Sequence, residues 1–331
     1  MSMSGIDLDA LAAKVARELA RADQREAGNG KREAASPGAA NSEASTVRGA
    51  SMPNPTARSD SPPGVRYVRE GARIAEFIDH TLLKAETTAT EIDTLCAEAI
   101  EHEFAAVCVN PVWVPRCAQR LEGSRVALAT VVGFPLGANQ SEIKAAEAAL
   151  AIRQGATEID MVAAVGHIKG GDWNHVADDI AAVVRAAAGT LVKVIIESAH
   201  LTPVEIIKAS ALAREAGAHY VKTSTGFHPA GGASAEAVAL MRLVVGDSMG
   251  VKASGGVRDC ATALRMIANG ATRIGTSSGV AMAQCLGRGP LPMRELLASP
   301  HVHEARCSSG ACASPAVQGA APSVYLRRRP R

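Results

Sequence analysis

EAGAHYVKTSTG (215–226) is the stretch that decides the fold, because it joins the end of a helix to the start of a strand. An alanine-rich helical run stops at Gly217, a residue type that commonly ends helices, and an apolar run follows at once. QGATEID (154–160) and ANGATRIG (268–275) show the same order. The chain is therefore predicted to repeat one unit, in which a helix ends and a new strand begins.

The same alternation extends along most of the chain. We predict strands at 74–79, 104–109, 126–132, 157–162, 191–197, 219–223, 249–253 and 272–275. Helical patterns follow them, among them 90–102, 139–154, 173–188, 203–216, 234–246 and 259–269. Eight β-then-α units in about 220 residues predict a (β/α)8 TIM barrel. A doubly wound parallel sheet is the alternative, and units of such even size fit it less well.

Both ends of the chain differ from this pattern. Residues 1–27 contain apolar residues at helical spacing from about residue 5, which predicts an N-terminal amphipathic helix. Residues 28–67 are rich in Gly, Ser, Pro, Ala and Asn and have few large apolar side chains, so we predict a disordered linker. The predicted barrel spans 68–290, and 291–331 is predicted to be a flexible tail.

Composition narrows the class of protein. The 331 residues are 47% hydrophobic but only 3% aromatic, so an aliphatic core is expected, and a net charge of +2 does not favour nucleic-acid or membrane partners. We find neither an apolar stretch of about 18 residues nor a secretory signal at the N-terminus. The seven cysteines are an odd number and form no CxxC pair. They predict reduced thiols in a cytoplasmic protein without a zinc site.

Three lysines lie near the ends of three apolar runs: Lys193 in TLVKVIIE, Lys222 in HYVKTSTG and Lys252 in MGVKASGG. A single lysine there would most simply extend from its strand into solvent. Because lysine is rarely buried without a partner, three in the same pattern favour ammonium groups that converge on one cavity. Crowded cations in a partly dry site lower a lysine pKa, and the neutral amine can then form a Schiff base.

Acidic residues fall in the same strands. We expect Asp79 and His80 to close strand 1, and Asp160 to lie in strand 4 and pair with one of the lysines. Lys193 and Glu197 are four residues apart on strand 5 and therefore share a face. If both side chains point inward, an ion pair between them across the barrel floor is expected.

Three glycine-rich segments follow the last strands: TSTG (223–226), ASGGVR (253–258) and GTSSG (275–279). In such barrels the loops after strands 7 and 8 often bind phosphate, since backbone N–H groups at a helix start attract anions. GGVR (255–258) and GTSSG (275–279) occupy those places, which predicts a phosphate site there. An amine beside a phosphate anchor indicates imine chemistry on a phosphorylated carbonyl compound, with an acid–base pair that moves protons.

Long phrases of the chain resemble the deoxyribose-phosphate aldolase family, in its shorter bacterial and archaeal form. The resemblance spans about 70 to 285, and the matching phrases are EFIDHTLLKAETT (76–88), CVNPVWV (108–114), VVGFPLGANQSEIKAAEA (131–148), GATEIDMV (155–162), KVIIES (193–198), AGAHYVKTSTGF (216–227), VKASGGVRD (251–259) and GATRIGTSSGV (270–280). Ser198 stands where the family usually has threonine, and GFHPAGGAS (226–234) lies in a loop that varies.

The resemblance implies a class I aldolase that needs neither cofactor nor metal. Its reaction would be the reversible cleavage of 2-deoxy-D-ribose 5-phosphate to D-glyceraldehyde 3-phosphate and acetaldehyde, in deoxyribonucleotide catabolism. By position, Lys222 matches the Schiff-base lysine, Lys252 the lysine that perturbs it and assists proton transfer, Asp160 the proton-relay aspartate and Lys193 a supporting lysine. The implied substrate and phosphate site consists of Thr223, Gly226, Gly255, Gly256, Gly275, Ser277 and Ser278. A homo-oligomer, either a dimer or a tetramer, is also implied.

Two other functions stay open at this point. One is an imine-forming aldolase acting on a different phosphorylated sugar. The other is a barrel that binds a partner through its terminal extensions. A metal-dependent aldolase is disfavoured because the histidines of the predicted barrel show no HxxxH or HxH spacing near carboxylates, and a nicotinamide enzyme because no GxGxxG opens a helix.

Overall fold

The structure is a computed structural model that describes residues 71–298 and, near the N-terminus, residues 7, 9, 10, 13, 14 and 17. Of the predicted N-terminal helix, residues 9, 10, 13, 14 and 17 are helical, and its other positions lie outside the described residues. The predicted linker at 28–67 and the tail beyond residue 298 also lie outside them. Among the helices that are described, none is both long and apolar enough to cross a membrane.

Eight parallel strands form a closed barrel in chain order, which confirms the predicted (β/α)8 TIM barrel. Seven of the strands begin and end within two residues of the predicted ranges. The strands are β1 Ile78–Leu82, β2 Ala106–Val109, β3 Ala127–Val132, β4 Glu158–Val162, β5 Leu191–Ile195, β6 Tyr220–Lys222, β7 Gly250–Ser254 and β8 Arg273–Thr276.

Helices connect the strands and cover the outside of the barrel. The described α-helices are α1 Ala89–His102, α2 Val114–Arg120, α3 Ser141–Arg153, α4 Val165–Gly170, α5 Trp173–Ala186, α6 Pro203–Glu215, α7 Ala235–Val245, α8 Cys260–Ala268, α9 Gly279–Leu286 and α10 Met293–Ala298. The aliphatic core lies between these helices and the outward faces of the strands. Met293 and Leu297 of α10 belong to this core, so the packed part of the chain extends past residue 290.

The repeated glycines end their helices by one shared geometry. Gly155, Gly217 and Gly270 follow α3, α6 and α8 with φ of +113°, +84° and +108°. After α6, the N–H of Gly217 donates to the carbonyl of Arg214, and the N–H of Ala218 donates to the carbonyl of Ala213, each at 3.0 Å. These paired bonds form a Schellman motif, which requires the left-handed conformation that glycine adopts without strain. Each motif ends its helix and directs the chain into the next strand.

The first predicted strand is wrong in its position. Ile74–Phe77 forms a 3-10 turn, and β1 begins only at Ile78. Glu76 stabilises this turn, because its carboxylate accepts from the backbone N–H of Arg73 at 3.2 Å. A short apolar run does not by itself distinguish a buried turn from a strand. As a consequence, Asp79 and His80 are the second and third residues of β1 rather than its end.

Candidate active site

The interior of the barrel contains a cluster of charged side chains, all contributed by strands. Alternate residues of a strand point to one side, so residues two apart, such as Glu158 and Asp160 in β4, face the same way. The strand register places Asp160 beside Lys193 and Lys222 beside Lys252. The members of this charge cluster are Asp79, Glu158, Asp160, Lys193, Lys222, Lys252 and Arg273.

Asp160 lies at the centre of the cluster and contacts all three predicted lysines. Its Oδ1 accepts from Lys193 Nζ at 2.8 Å. Its Oδ2 accepts from Lys222 Nζ at 2.7 Å and from Lys252 Nζ at 2.8 Å. The expected pairing of Asp160 with a lysine is confirmed, and one carboxylate brings the three amines together.

The other charges surround this centre. Lys252 also forms an ion pair with Asp79, and Lys193 with Glu158 at 2.5 Å. Arg273 of β8 binds Asp79 through one guanidinium nitrogen and Glu158 through the other, the latter at 2.7 Å. Glu158 and Arg273 were not singled out from the sequence. The available signal was a charge inside each of the apolar strand phrases TEIDMV and TRIG.

The cluster holds four cations and three carboxylates, so one positive charge is uncompensated when all are ionised. Lys252 and Arg273 each have two carboxylate partners, whereas the only carboxylate within ion-pair distance of Lys222 among the described residues is Asp160. The charge balance therefore favours loss of a proton from Lys222.

The pKa shifts follow the same logic. Burial lowers the pKa of Lys222, and the nearby Lys252 cation lowers it further, while the attraction of Asp160 only partly opposes them. For Lys252, burial also lowers the pKa, but the attraction of Asp160 and Asp79 outweighs it, so the pKa is raised. The pKa of Lys193 is likewise raised. Burial raises the pKa of Asp160, yet the three lysines hold it well below its usual value.

Glu197 does not form the predicted ion pair with Lys193. It lies beyond the end of β5 in a left-handed conformation with φ of +59°. Its buried carboxylate accepts from the hydroxyl of Thr225 at 2.6 Å and from the N–H of Thr225 at 3.2 Å. Lys193 bonds to residues of β4 instead. Strand β5 ends before Glu197, so Glu197 does not share a strand face with Lys193. Glu197 thus holds the loop that follows Lys222.

Asp79 and His80 point in opposite directions from β1. Asp79 lies in the charge cluster, completely buried. The His80 ring instead contacts α1, where Nε2 lies 2.7 Å from Glu98 Oε2. The prediction that both close the strand is therefore wrong, and only Asp79 contributes to the barrel interior.

The glycine-rich loops lie beyond the carboxyl ends of β6 and β7. Gly226, Gly255 and Gly256 have φ of +85°, +84° and +78°. A Cβ on Gly255 would lie 3.3 Å from the Cα of Gly226, so the two loops contact through their backbones. Thr223, directly after the last residue of β6, links β6 to β7. Its hydroxyl donates to the Ser254 carbonyl and accepts from the Ser254 N–H, both at 3.0 Å.

The remaining predicted phosphate residues are in and after β8. A Cβ on Gly275 would lie 2.2 Å from Ser254 Oγ and 3.1 Å from Lys252 Cε, so this glycine makes room for the lysine. Ser277 is exposed and Ser278 is half-buried, immediately before α9. The role of these residues in phosphate binding stays a prediction.

Comparison with known proteins places this geometry among aldolases. The family model for DeoC/LacD family aldolases matches residues 73–285. A deoxyribose-phosphate aldolase of Histophilus somni (strain 2336) is 57% identical over 209 residues, which cover 63% of this chain and 93% of that protein. One from Brevibacillus brevis is 58% identical over 207 residues, covering 62% of this chain and 93% of that protein.

Solved structures agree with the sequence matches. The crystal structure of a putative deoxyribose-phosphate aldolase from Coccidioides immitis has a TM-score of 0.61 at 44% identity, covering 62% of this chain and 83% of that chain. A deoxyribose phosphate aldolase from Aeropyrum pernix, described as a unique tetrameric structure, has a TM-score of 0.60 at 33% identity, covering 66% of this chain and 92% of that chain.

Proposed function

The chain belongs to the DeoC/LacD family of aldolases, and from this premise we propose that it cleaves 2-deoxy-D-ribose 5-phosphate reversibly through a Schiff base on Lys222. The products are D-glyceraldehyde 3-phosphate and acetaldehyde. The names of the relatives support the substrate. The observation that carries the mechanism is the state of Lys222, a buried amine whose pKa is lowered and which shares one carboxylate oxygen with a second lysine.

Covalent bond formation begins at the aldehyde carbon of the open-chain sugar. The neutral amine of Lys222 adds to C1, and loss of water from the resulting carbinolamine leaves a protonated imine. Removal of the proton from the C3 hydroxyl lets the C2–C3 bond break, and its electron pair moves toward the imine nitrogen. Glyceraldehyde 3-phosphate leaves, and an enamine of acetaldehyde remains on Lys222.

Proton transfer completes the cycle. Protonation of the enamine at C2 regenerates an imine, and water hydrolyses it to acetaldehyde and the free lysine. We assign this proton relay to Asp160 together with Lys252. Asp160 accepts a hydrogen bond from the Lys222 amine, and Lys252 donates to the same Asp160 oxygen. Lys193 holds the second oxygen of Asp160 and so keeps its carboxylate oriented.

The substrate phosphate is proposed to bind at the open end of the barrel. Gly226 and Gly256 are exposed and Gly255 is half-buried, and Ser277 and Ser278 precede a helix N-terminus. N–H groups in such positions attract phosphate. An anchor there would hold C5 at the rim, with C1 directed down toward Lys222.

The wider assignments are also part of the proposal. Cleavage of a deoxyribose phosphate suits deoxyribonucleotide catabolism. Cys96, Cys108 and Cys117 are free thiols, which supports a reducing compartment such as the cytoplasm. The tetrameric relative from Aeropyrum pernix supports a homo-oligomer.

One trapping experiment tests reaction, mechanism and residue together. The purified protein is incubated with deoxyribose 5-phosphate and EDTA, glyceraldehyde 3-phosphate release is followed, and borohydride is added. We expect product and a reduced adduct on Lys222, with neither in the Lys222→Arg variant. Lys208→Ala, which changes a lysine on the outer helix α6, serves as the matched control.

Other outcomes would favour the alternative functions. An adduct on a different lysine would overturn the assignment of Lys222. An adduct with another sugar phosphate but not with deoxyribose 5-phosphate would indicate a different aldolase substrate. Neither product nor adduct from folded protein would favour a partner-binding barrel, which deletion of residues 1–66 would then test through the oligomeric state.

A further inference from the structure

Two histidines and an aspartate come together outside the charge cluster, where α4 passes into α5. His167 lies in α4, Asp172 precedes α5 and His175 lies in its first turn. Gly171 adopts φ of +74° between the helices and turns the chain back on itself. One donor atom from each side chain lies within 4.8 Å of the others.

The aspartate of this His-Asp-His group is already oriented. Its Oδ1 accepts from the backbone N–H of His175 at 3.2 Å, as the N-cap of α5. Its Oδ2 lies 3.1 Å from His167 Nδ1. The imidazole rings of His167 and His175 are stacked, with centroids 3.6 Å apart and planes inclined by 17°. All three side chains therefore present donors to one small region.

Space for an ion and its waters is available at this position. A cavity of about 700 Å³, much of it open to solvent, is lined by the His-Asp-His group together with Leu136, Gly137 and Asn139 from the segment after β3. His167 and Asp172 are exposed and His175 is half-buried, so solvent can reach all three side chains and the two rings have room to rotate apart. The nearby Lys169 is held by Glu205 at 2.9 Å, in an ion pair of its own.

We propose that His167, Asp172 and His175 form a binding site for a divalent transition-metal ion of the Zn²⁺ type. Two imidazole nitrogens and one carboxylate oxygen are one of the donor sets that bind zinc in proteins, and waters fill the remaining positions. His167 binds through Nδ1 as a neutral imidazole that carries its proton on Nε2. The ion replaces the hydrogen bond between His167 and Asp172, and it ties α4 to α5.

This site is separate from the proposed chemistry at Lys222. Its ligands lie in helices α4 and α5 and in the turn between them, whereas the charge cluster belongs to strands. Bound metal is therefore expected to stabilise the segment after β4 without taking part in catalysis. The sequence spacing is His-x4-Asp-x2-His, which a search for HxxxH or HxH overlooks because the turn at Gly171 brings the donors together.

The test measures Zn²⁺ binding to the full-length, untagged protein by calorimetry. His301→Gln and His303→Gln are included in every variant so that the HVH of the tail contributes no ligand. We expect one equivalent to bind and the Tm to rise with Zn²⁺ concentration, since the ion binds the folded arrangement. Asp172→Asn and His175→Gln should each weaken binding at least about tenfold.

A matched control comes from a second pair of histidine rings. His200 and His228 lie with centroids 4.6 Å apart, outside the His-Asp-His group, and His200→Gln should leave the affinity unchanged. Circular dichroism and aldolase activity verify that each variant is folded. The proposal is overturned if the parent protein shows no saturable 1:1 binding, or if the His167→Gln/His175→Gln variant binds Zn²⁺ as tightly as the parent.

Discussion

Lys252 and Lys222 share one oxygen of Asp160, so the charge on Lys252 should control the protonation of Lys222. Bonds of 2.7 and 2.8 Å to the same atom place the two nitrogens close together. At about 5 Å, two unit charges repel by about 3 kcal/mol when the effective dielectric constant is ~20. Substitution of Lys252 by Met removes this repulsion. The neutral fraction of Lys222 at a given pH should then fall about 100-fold.

The sign of the pH effect follows from the pKa of Lys222. Burial and the Lys252 cation lower this pKa in the wild type, and loss of the cation raises it. The neutral amine needed for imine formation is lost as the pH falls through the pKa. In Lys252→Met the acid limb of the rate profile should therefore move to higher pH.

The assay is the pH dependence of kcat/KM, measured together with the rate of borohydride-trapped imine formation. Lys252→Met and Lys252→Arg should both slow proton transfer, but only the former removes the charge. The Arg variant should therefore keep the acid limb close to that of the wild type, and Lys208→Met should leave the whole profile unchanged. A Lys252→Met profile whose acid limb coincides with that of the wild type would refute the electrostatic argument.

Three further predictions concern residues that support the site. Lys144→Met removes one partner of a fully buried ion pair and should lower the free energy of unfolding by about 3–5 kcal/mol in urea denaturation. Glu197→Gln removes the negative charge that accepts the Thr225 hydrogen bond, and a hydrogen bond to a charged group is worth about 1.5–3 kcal/mol. Steady-state kinetics should show KM raised roughly tenfold or more, with a smaller change in kcat. Gly275→Ala forces a Cβ against a neighbouring hydroxyl and should destabilise the barrel by about 1–3 kcal/mol, whereas Gly166→Ala, with open space around it, should not.

Each of these predictions has an outcome that contradicts it. A Lys144→Met variant as stable as the wild type would show that Asp179 is not left as an uncompensated buried charge. An unchanged KM in Glu197→Gln would mean that the loop after β6 needs no carboxylate to hold it. Equal melting temperatures for the two glycine variants would show that the space beside Gly275 is not restricted.

The sequence predicted most of the fold because the responsible signals are local. Each Schellman motif is made within six residues, so glycine after an alanine-rich run identifies the end of a helix wherever it occurs. The first strand was misplaced because the apolar residues of Ile74–Phe77 pack into the core as a turn. That choice depends on what surrounds the segment, which a short apolar run does not reveal.

The candidate site could be predicted in part because some of its signals are also local. Lysines inside apolar strand phrases indicated buried amines, and the barrel topology implied that their strands meet. Arg273 was overlooked because one charge in a strand reads equally well as an exposed residue. Glu158 was overlooked although strand alternation places it on the same face as Asp160. Their importance depends on closure of the barrel, where β8 returns beside β1 and brings Arg273 to Asp79.

By itself, the sequence determined the eight repeated units, the barrel they form and the three buried lysines, because helix ends and strand alternation are set by neighbouring residues. Only the tertiary structure decided which carboxylate meets which cation. Asp160 and Lys252 are 92 residues apart, and Arg273 and Asp79 are 194 apart. Such pairs depend on strand register, in which a shift of one residue turns a side chain from the barrel interior to the outside.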